Sequence, residues 1–125
     1  NRSDGLGLSR LKKINITSFI ISTESNPVVS VRAKKLKIPV IQNVQNKDEA
    51  VSKLCKELDI SLENTMFVGN DVNDIPALKI VGFPVAVFDA YEEILPYINF
   101  KTNKNGGEGA VREICDLIYN FHNNE

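Results

Sequence analysis

An α/β domain built on a parallel sheet is the fold class that the sequence predicts, and three observations carry that reading. Short apolar runs rich in β-branched and aromatic residues alternate with longer segments whose apolar positions recur at helical spacing. Helical segments fall between successive strands, so they act as crossovers, and crossovers join parallel strands covered on both faces. The bulk fits as well: 125 residues with 42% hydrophobic content suit one domain with a real core.

Each element has its own justification. Thr17–Ser22 is a short apolar strand ending in small polar residues. Ser25-Asn26-Pro27 then supplies a cap and a proline suited to a first helical turn, and Val29, Ala33 and Leu36 form the apolar stripe of that helix. Ile38–Gln42 is a second strand. Asn46 opens a helix in which Ala50, Val51, Leu54, Cys55 and Leu58 share a face. Thr65–Gly69 is a third strand, followed by a helix over Ile75–Val81. Pro84–Phe88 is a fourth strand, Glu92–Tyr97 a short helix, and Asn99–Thr102 an edge-like fifth strand. The last helix, about Ala110–Phe121, is expected to bury Val111, Ile114, Cys115, Ile118 and Phe121. Two glycine clusters, Asp4-Gly5-Leu6-Gly7 and Gly106-Gly107-Glu108-Gly109, read as turns leading into helices.

Charge and composition exclude several classes. Fifteen Lys and Arg against sixteen Asp and Glu leave a formal charge of −1, so no global attraction to nucleic acid or to an anionic membrane is expected. Apolar runs such as Phe19-Ile20-Ile21 are too short to span a bilayer, and no secretory leader is expected. Cys55 and Cys115 lie in helix-like patterns and read as buried free thiols of a cytoplasmic domain. His122 sits in a polar tail without a visible partner. The first residue is Asn1 rather than Met, and the expectation is a chain that begins partway through a longer product.

In parallel sheets, ligands bind beyond the carboxyl ends of the strands, which directs attention to the segments there. Ser22-Thr23-Glu24 offers a hydroxyl that either donates to a phosphate oxygen or makes a local turn. Lys47, at a helix start, opposes the helix dipole; it either neutralises an anion or is merely solvated. Gly69-Asn70-Asp71-Val72-Asn73-Asp74 clusters oxygen-bearing side chains that suit a hard cation such as Mg²⁺ or cap the next helix, and both roles can coexist.

Ser22, Lys47 and the Gly69–Asp74 segment resemble motifs II, III and IV of the haloacid dehalogenase (HAD) phosphatases in order and spacing. The flanking segments are similar to two branches of that family. These are Asn1-Arg2-Ser3-Asp4-Gly5-Leu6-Gly7, Ile21–Val29 and Gly106–Glu113. One branch is the 3-deoxy-manno-octulosonate 8-phosphate phosphatases, the other the HAD domains attached to acylneuraminate cytidylyltransferases.

The resemblance implies a Rossmann-like three-layer HAD fold over residues 1–125, without a large cap domain. It also implies an Asp-x-Asp motif on an upstream strand that these residues lack, leaving a gap in the sheet between Thr17–Ser22 and Thr65–Gly69. The implied activity is Mg²⁺-dependent hydrolysis of a 2-keto-3-deoxy sugar acid phosphate through an aspartyl-phosphate. Ser22 would contact the phosphoryl group, Lys47 would neutralise nucleophile and phosphate, and Asn70 would ligate the metal with support from Asp74. Asn1, Ser3, Asp4 and Gly5 match a substrate-contacting loop, and Arg32 a basic substrate contact. The assembly implied is a homotetramer, with a cytidylyltransferase domain or partner in the second branch.

Three residues depart from the pattern. Asn70 stands where Asp is common, and Glu24 and Glu108 stand where the octulosonate phosphatases carry arginine. These departures favour a nine-carbon or related sugar acid. The alternative is a catalytically silent HAD domain that serves oligomerisation beside a cytidylyltransferase.

Overall fold

Strands and helices alternate along the chain in the computed structural model, which describes residues 2–123. The chain divides into two compact units, one formed by Asn1–Val44 with Gly107–Glu125, the other by Gln45–Gly106.

In the first unit, β1 (Ile20–Ile21) pairs in parallel with β2 (Val40–Ile41), Ile20 opposite Val40 and Ile21 opposite Ile41. The connecting helix α2 (Pro27–Leu36) starts as its sequence dictates. The Asn26 side chain accepts from the Val28 N–H at 2.9 Å and Pro27 occupies the first turn. It ends where Lys37 turns left-handed, at φ 59°, and its N–H reaches the Ala33 and Lys34 carbonyls. Ala33 is the buried point of its stripe.

The unit also contains α1 (Arg2–Lys13) and α5 (Ala110–Asn123), which pack together around Leu11, Ile114 and Cys115. Here two expectations are corrected. The Asp4–Gly7 segment is helical, not a turn, because contacts with α5 hold it despite its two glycines. Phe121 is exposed rather than buried, since it lies in the last turn of α5, beyond the level of Asp116 and Tyr119 that Arg10 of α1 reaches.

In the second unit, β3 (Met66–Gly69), β4 (Phe83–Ala86) and β5 (Phe100–Lys101) form a parallel sheet in the order β3-β4-β5, with β5 at the edge as expected. Helix α3 (Lys47–Leu58) precedes β3, and α4 (Ile75–Leu78) joins β3 to β4. A 3₁₀ segment over Glu92–Tyr97 joins β4 to β5. The core gathers Leu78, Ala86 and Ile94, with Phe67, Ile75, Ala90 and Ile98 packed against them. The fourth strand stops at Ala86, short of the expected Phe88. Past that point the Phe88 N–H leaves the ladder and donates to Thr102 Oγ1 at 3.0 Å. Among the described residues, β1 has only β2 as a strand neighbour and β3 only β4. Cys55 and Cys115 are free and buried, as expected, and no described helix is long and apolar enough to cross a membrane.

Candidate active site

The second unit brings Lys47, Asn70 and Asp74 into one cluster. Lys47 is the first residue of α3, where a cation meets the positive end of the helix dipole. What makes it tolerable there is Asp74, whose Oδ1 lies 2.6 Å from Lys47 Nζ. Both residues are buried, at 8% and 3% exposure, so each would carry a large desolvation penalty without the other.

Asp74 also shapes the loop after β3. Its Oδ2 accepts the N–H of Asn70 at 2.8 Å and of Asp71 at 3.1 Å. Asp71 in turn caps the 3₁₀ turn Val72–Asp74, accepting the Val72 N–H, and together the two aspartates form a capping box. Gly69 is glycine because Asp74 tucks against it: a Cβ there would stand 2.8 Å from Asp74 Cβ. The Asn70 carbonyl accepts the Tyr91 N–H at 3.0 Å, which ties the loop to the segment after β4.

These bonds separate the two residues assigned to a metal. The Asp74 carboxylate is already engaged by the Lys47 ammonium and two backbone donors, so it acts by orienting Lys47 and the loop. The Asn70 carboxamide is exposed and makes no hydrogen bond among the described residues. Its oxygen is a hard donor of the kind that Mg²⁺ takes, along with water and substrate oxygens. Among the described residues no group of three or more His, Cys, Asp or Glu side chains could hold a metal. With Asp71 and Asp74 against Lys47, the cluster carries one excess negative charge.

The remaining expected residues lie in the first unit. Ser22 continues the β1–β2 ladder, its N–H donating to the Ile41 carbonyl at 2.9 Å, and its Oγ accepts the Glu24 N–H at 3.1 Å. The local turn is thus formed. Accepting through oxygen leaves the hydroxyl proton for an incoming oxyanion, so turn and phosphate contact are compatible. Arg32 is exposed on α2. Ser3, Asp4 and Gly5 form the first turns of α1. Asp4 is buried, and its Oδ1 accepts the Arg112 N–H at 3.0 Å, which gives it a role in packing. Asn1 lies outside the described residues. Sequence reasoning placed Arg112 in the Gly106–Glu113 segment but missed its bond to Asp4, 108 positions away, and it missed Tyr91, which acts through its backbone.

The model of the haloacid dehalogenase-like hydrolase family matches residues 9–114. The chain belongs to this family. It is 39% identical over 119 residues to the 3-deoxy-D-manno-octulosonate 8-phosphate phosphatase of Salmonella typhi. That match takes in 94% of the chain and 63% of the relative, so the chain spans under two thirds of the length of that relative. Among solved structures, a HAD family hydrolase from Streptomyces avermitilis superimposes with a TM-score of 0.89 at 46% identity, over 93% of this chain and 67% of that one. The Moraxella catarrhalis octulosonate 8-phosphate phosphatase was solved with magnesium, phosphate and KDO. It superimposes with a TM-score of 0.89 at 39% identity, over 94% and 68% of the two chains. As a HAD-like chain, it has the Rossmann-like α/β fold that its sequence predicts, and the Lys47–Asp74 pair falls on the motifs that the resemblance rests on.

Proposed function

We propose that this chain carries the phosphate-neutralising and metal-orienting residues of a Mg²⁺-dependent phosphomonoester hydrolase acting on a 2-keto-3-deoxy sugar acid phosphate. The observation that carries the reading is the buried Lys47–Asp74 pair locked to the Asn70–Asp71 loop. It holds a lysine against the dipole preference of its helix, a placement that serves an anion better than it serves the fold. The phosphatase relatives, one of them holding magnesium and phosphate, support the same chemistry.

In this reading Ser22 Oγ–H donates to an oxygen of the transferring phosphoryl group. Lys47 keeps donors beyond the one on Asp74 and neutralises the charge on phosphate and nucleophile. The Asn70 carboxamide would hold Mg²⁺, which would supply further charge neutralisation. The nucleophile is an aspartate of an Asp-x-Asp motif, which we place on a further strand added to the free edge of β3. Its carboxylate oxygen attacks phosphorus and the sugar alkoxide leaves, taking a proton from the second aspartate. Water then cleaves the aspartyl-phosphate to carboxylate and inorganic phosphate. Glu24 and Glu108, in place of arginines, favour a nine-carbon acid of the acylneuraminate type over octulosonate. The free cysteines support a cytoplasmic setting, and a homotetramer or a cytidylyltransferase partner belongs to the same reading.

The test is phosphate release by the full-length protein from a panel of sugar acid phosphates, with and without Mg²⁺. Metal-dependent release selective for one 2-keto-3-deoxy acid phosphate is the expected result. Silence across the panel would overturn the phosphatase reading and leave the oligomerisation domain in its place.

A further inference from the structure

Asn70 is exposed, yet its backbone is engaged on both sides. Its N–H donates to Asp74 Oδ2 at 2.8 Å, and its carbonyl accepts the Tyr91 N–H at 3.0 Å. The two bonds differ in origin. Asp74 lies on the same turn, whereas Tyr91 comes from the segment after β4. The Tyr91 bond is not a continuation of the sheet: the pairing of β3 with β4 ends at Gly69 opposite Ala86, and Val87 donates the last bond, to the Gly69 carbonyl at 3.3 Å. Burial gives the bond little to do either, because Asn70 and Tyr91 are both exposed.

Tyr91 is nevertheless a stiff donor. Its own carbonyl accepts the Ile94 N–H at 3.2 Å, and Ile94 is fully buried in the core of the second unit, with Ala90 packed against the same core. The Tyr91 ring, by contrast, is 58% exposed. The residue is thus anchored through its main chain, and its main chain is what touches the Asn70 loop.

We propose that Tyr91 is a positioning residue for the metal: its N–H fixes the Asn70 carbonyl, and with it the backbone that carries the carboxamide. A donor oxygen held in this way binds an ion without a further ordering cost. Asp74 holds the other side of Asn70 and Lys47 at once, so the Tyr91 bond is the one that ties the metal donor to the packed segment after β4. The proposal rests on the metal reading above and deepens it, because it assigns metal affinity to a backbone group outside the Gly69–Asp74 loop.

The backbone angles of Tyr91 allow that group to be removed alone. At φ −62° and ψ 140° they are those of an extended proline. Tyr91→Pro therefore deletes the donor, whereas Tyr91→Ala deletes the ring and keeps the donor. In the full-length protein, Mn²⁺ binding is read by loss of the free-ion EPR signal, with thermal melting in parallel. Tyr91→Pro is expected to weaken Mn²⁺ about threefold to tenfold, the range of one hydrogen bond, and Tyr91→Ala to leave it within about twofold. A role confined to stability would lower the melting temperature of Tyr91→Pro and leave its Mn²⁺ affinity in place.

Should the proline variant fold poorly, linkage supplies an arm that needs no variant. A bond that favours the bound metal is strengthened by it to the same degree, so saturating Mg²⁺ should slow exchange of the wild-type Tyr91 amide by that same factor. The Asn99 amide, bonded to Pro84 near the start of β4 at 2.9 Å, should be unmoved. A wild type that binds metal, with affinity unchanged in Tyr91→Pro or lowered equally in Tyr91→Ala, overturns the positioning role alone. So does a Tyr91 amide whose exchange ignores Mg²⁺. A wild type that binds neither ion removes the metal reading itself, and this proposal with it.

Discussion

Lys47 shows how far one residue can be read before its partner is known. Its position at a helix start, against the dipole, marks it as a residue placed for charge. The structure adds that it is buried against Asp74, and this makes it structural as well. Removing one member of a buried pair leaves the other charge uncompensated. Lys47→Ala is therefore expected to destabilise the protein by about 3–5 kcal/mol. The double replacement Lys47→Met with Asp74→Asn, which keeps an oxygen for the Asn70 and Asp71 N–H groups, should recover part of that loss while turnover stays abolished. Urea denaturation with parallel phosphate-release assays checks both. If Lys47→Ala unfolds at the wild-type denaturant concentration, the pair is not buried as described.

At the scale of elements, α1 and α5 form an interface whose closeness depends on Gly7. Gly7→Ala drives a methyl into Cys115 and Arg112, and overpacking of this kind costs about 1–3 kcal/mol. The variant should melt measurably below wild type, whereas Gly5→Ala should not. Equal melting temperatures for Gly7→Ala and wild type would mean that α1 and α5 are farther apart than the structure places them. The helix was invisible in the sequence for a related reason. Glycines at positions 5 and 7 read as turn residues, because local propensity carries no information about a neighbour 105 positions away. The helices α2 and α3 were legible because caps and stripes are local: Asn26 before Pro27, and Val51 and Cys55 on one face. The strands came out shorter than read, since apolar patterning marks burial and only pairing marks a strand.

At the scale of the whole molecule, stability depends on alkaline pH through Cys115. Burial, followed by the nearby charges of Asp116 and Asp4, pushes its thiol from 9.0 up to about 11, with Arg112 opposing. The unfolded thiol ionises first. Stability is therefore complete below pH 9 and declines as the pH rises toward about 11. Tyr119 acts in the opposite sense, its hydroxyl lowered by hydrogen bonds with Asn123 and then Arg10. Urea midpoints at about pH 8 and about pH 10.5 isolate the cysteine when wild type is compared with Cys115→Ala: the variant should lose less between them. An identical loss in both proteins would show that the thiol does not ionise in that range.

The sequence by itself determined the α/β class, the order of the elements and the likeness of Lys47 and the Gly69–Asp74 loop to motifs of the haloacid dehalogenase-like family. Each of these rests on neighbours within a few positions: apolar periodicity, caps, and oxygen-bearing side chains on one turn. Only the tertiary structure decided what those side chains do to one another. It paired Lys47 with Asp74, engaged Asp74 with the backbone of its own loop, left the Asn70 carboxamide open, and held Asp4 with Arg112. The physical reason is range. Helix and strand patterns are written in local backbone preferences, whereas an ion pair or a close helix contact exists only after folding has brought distant residues within a few ångströms.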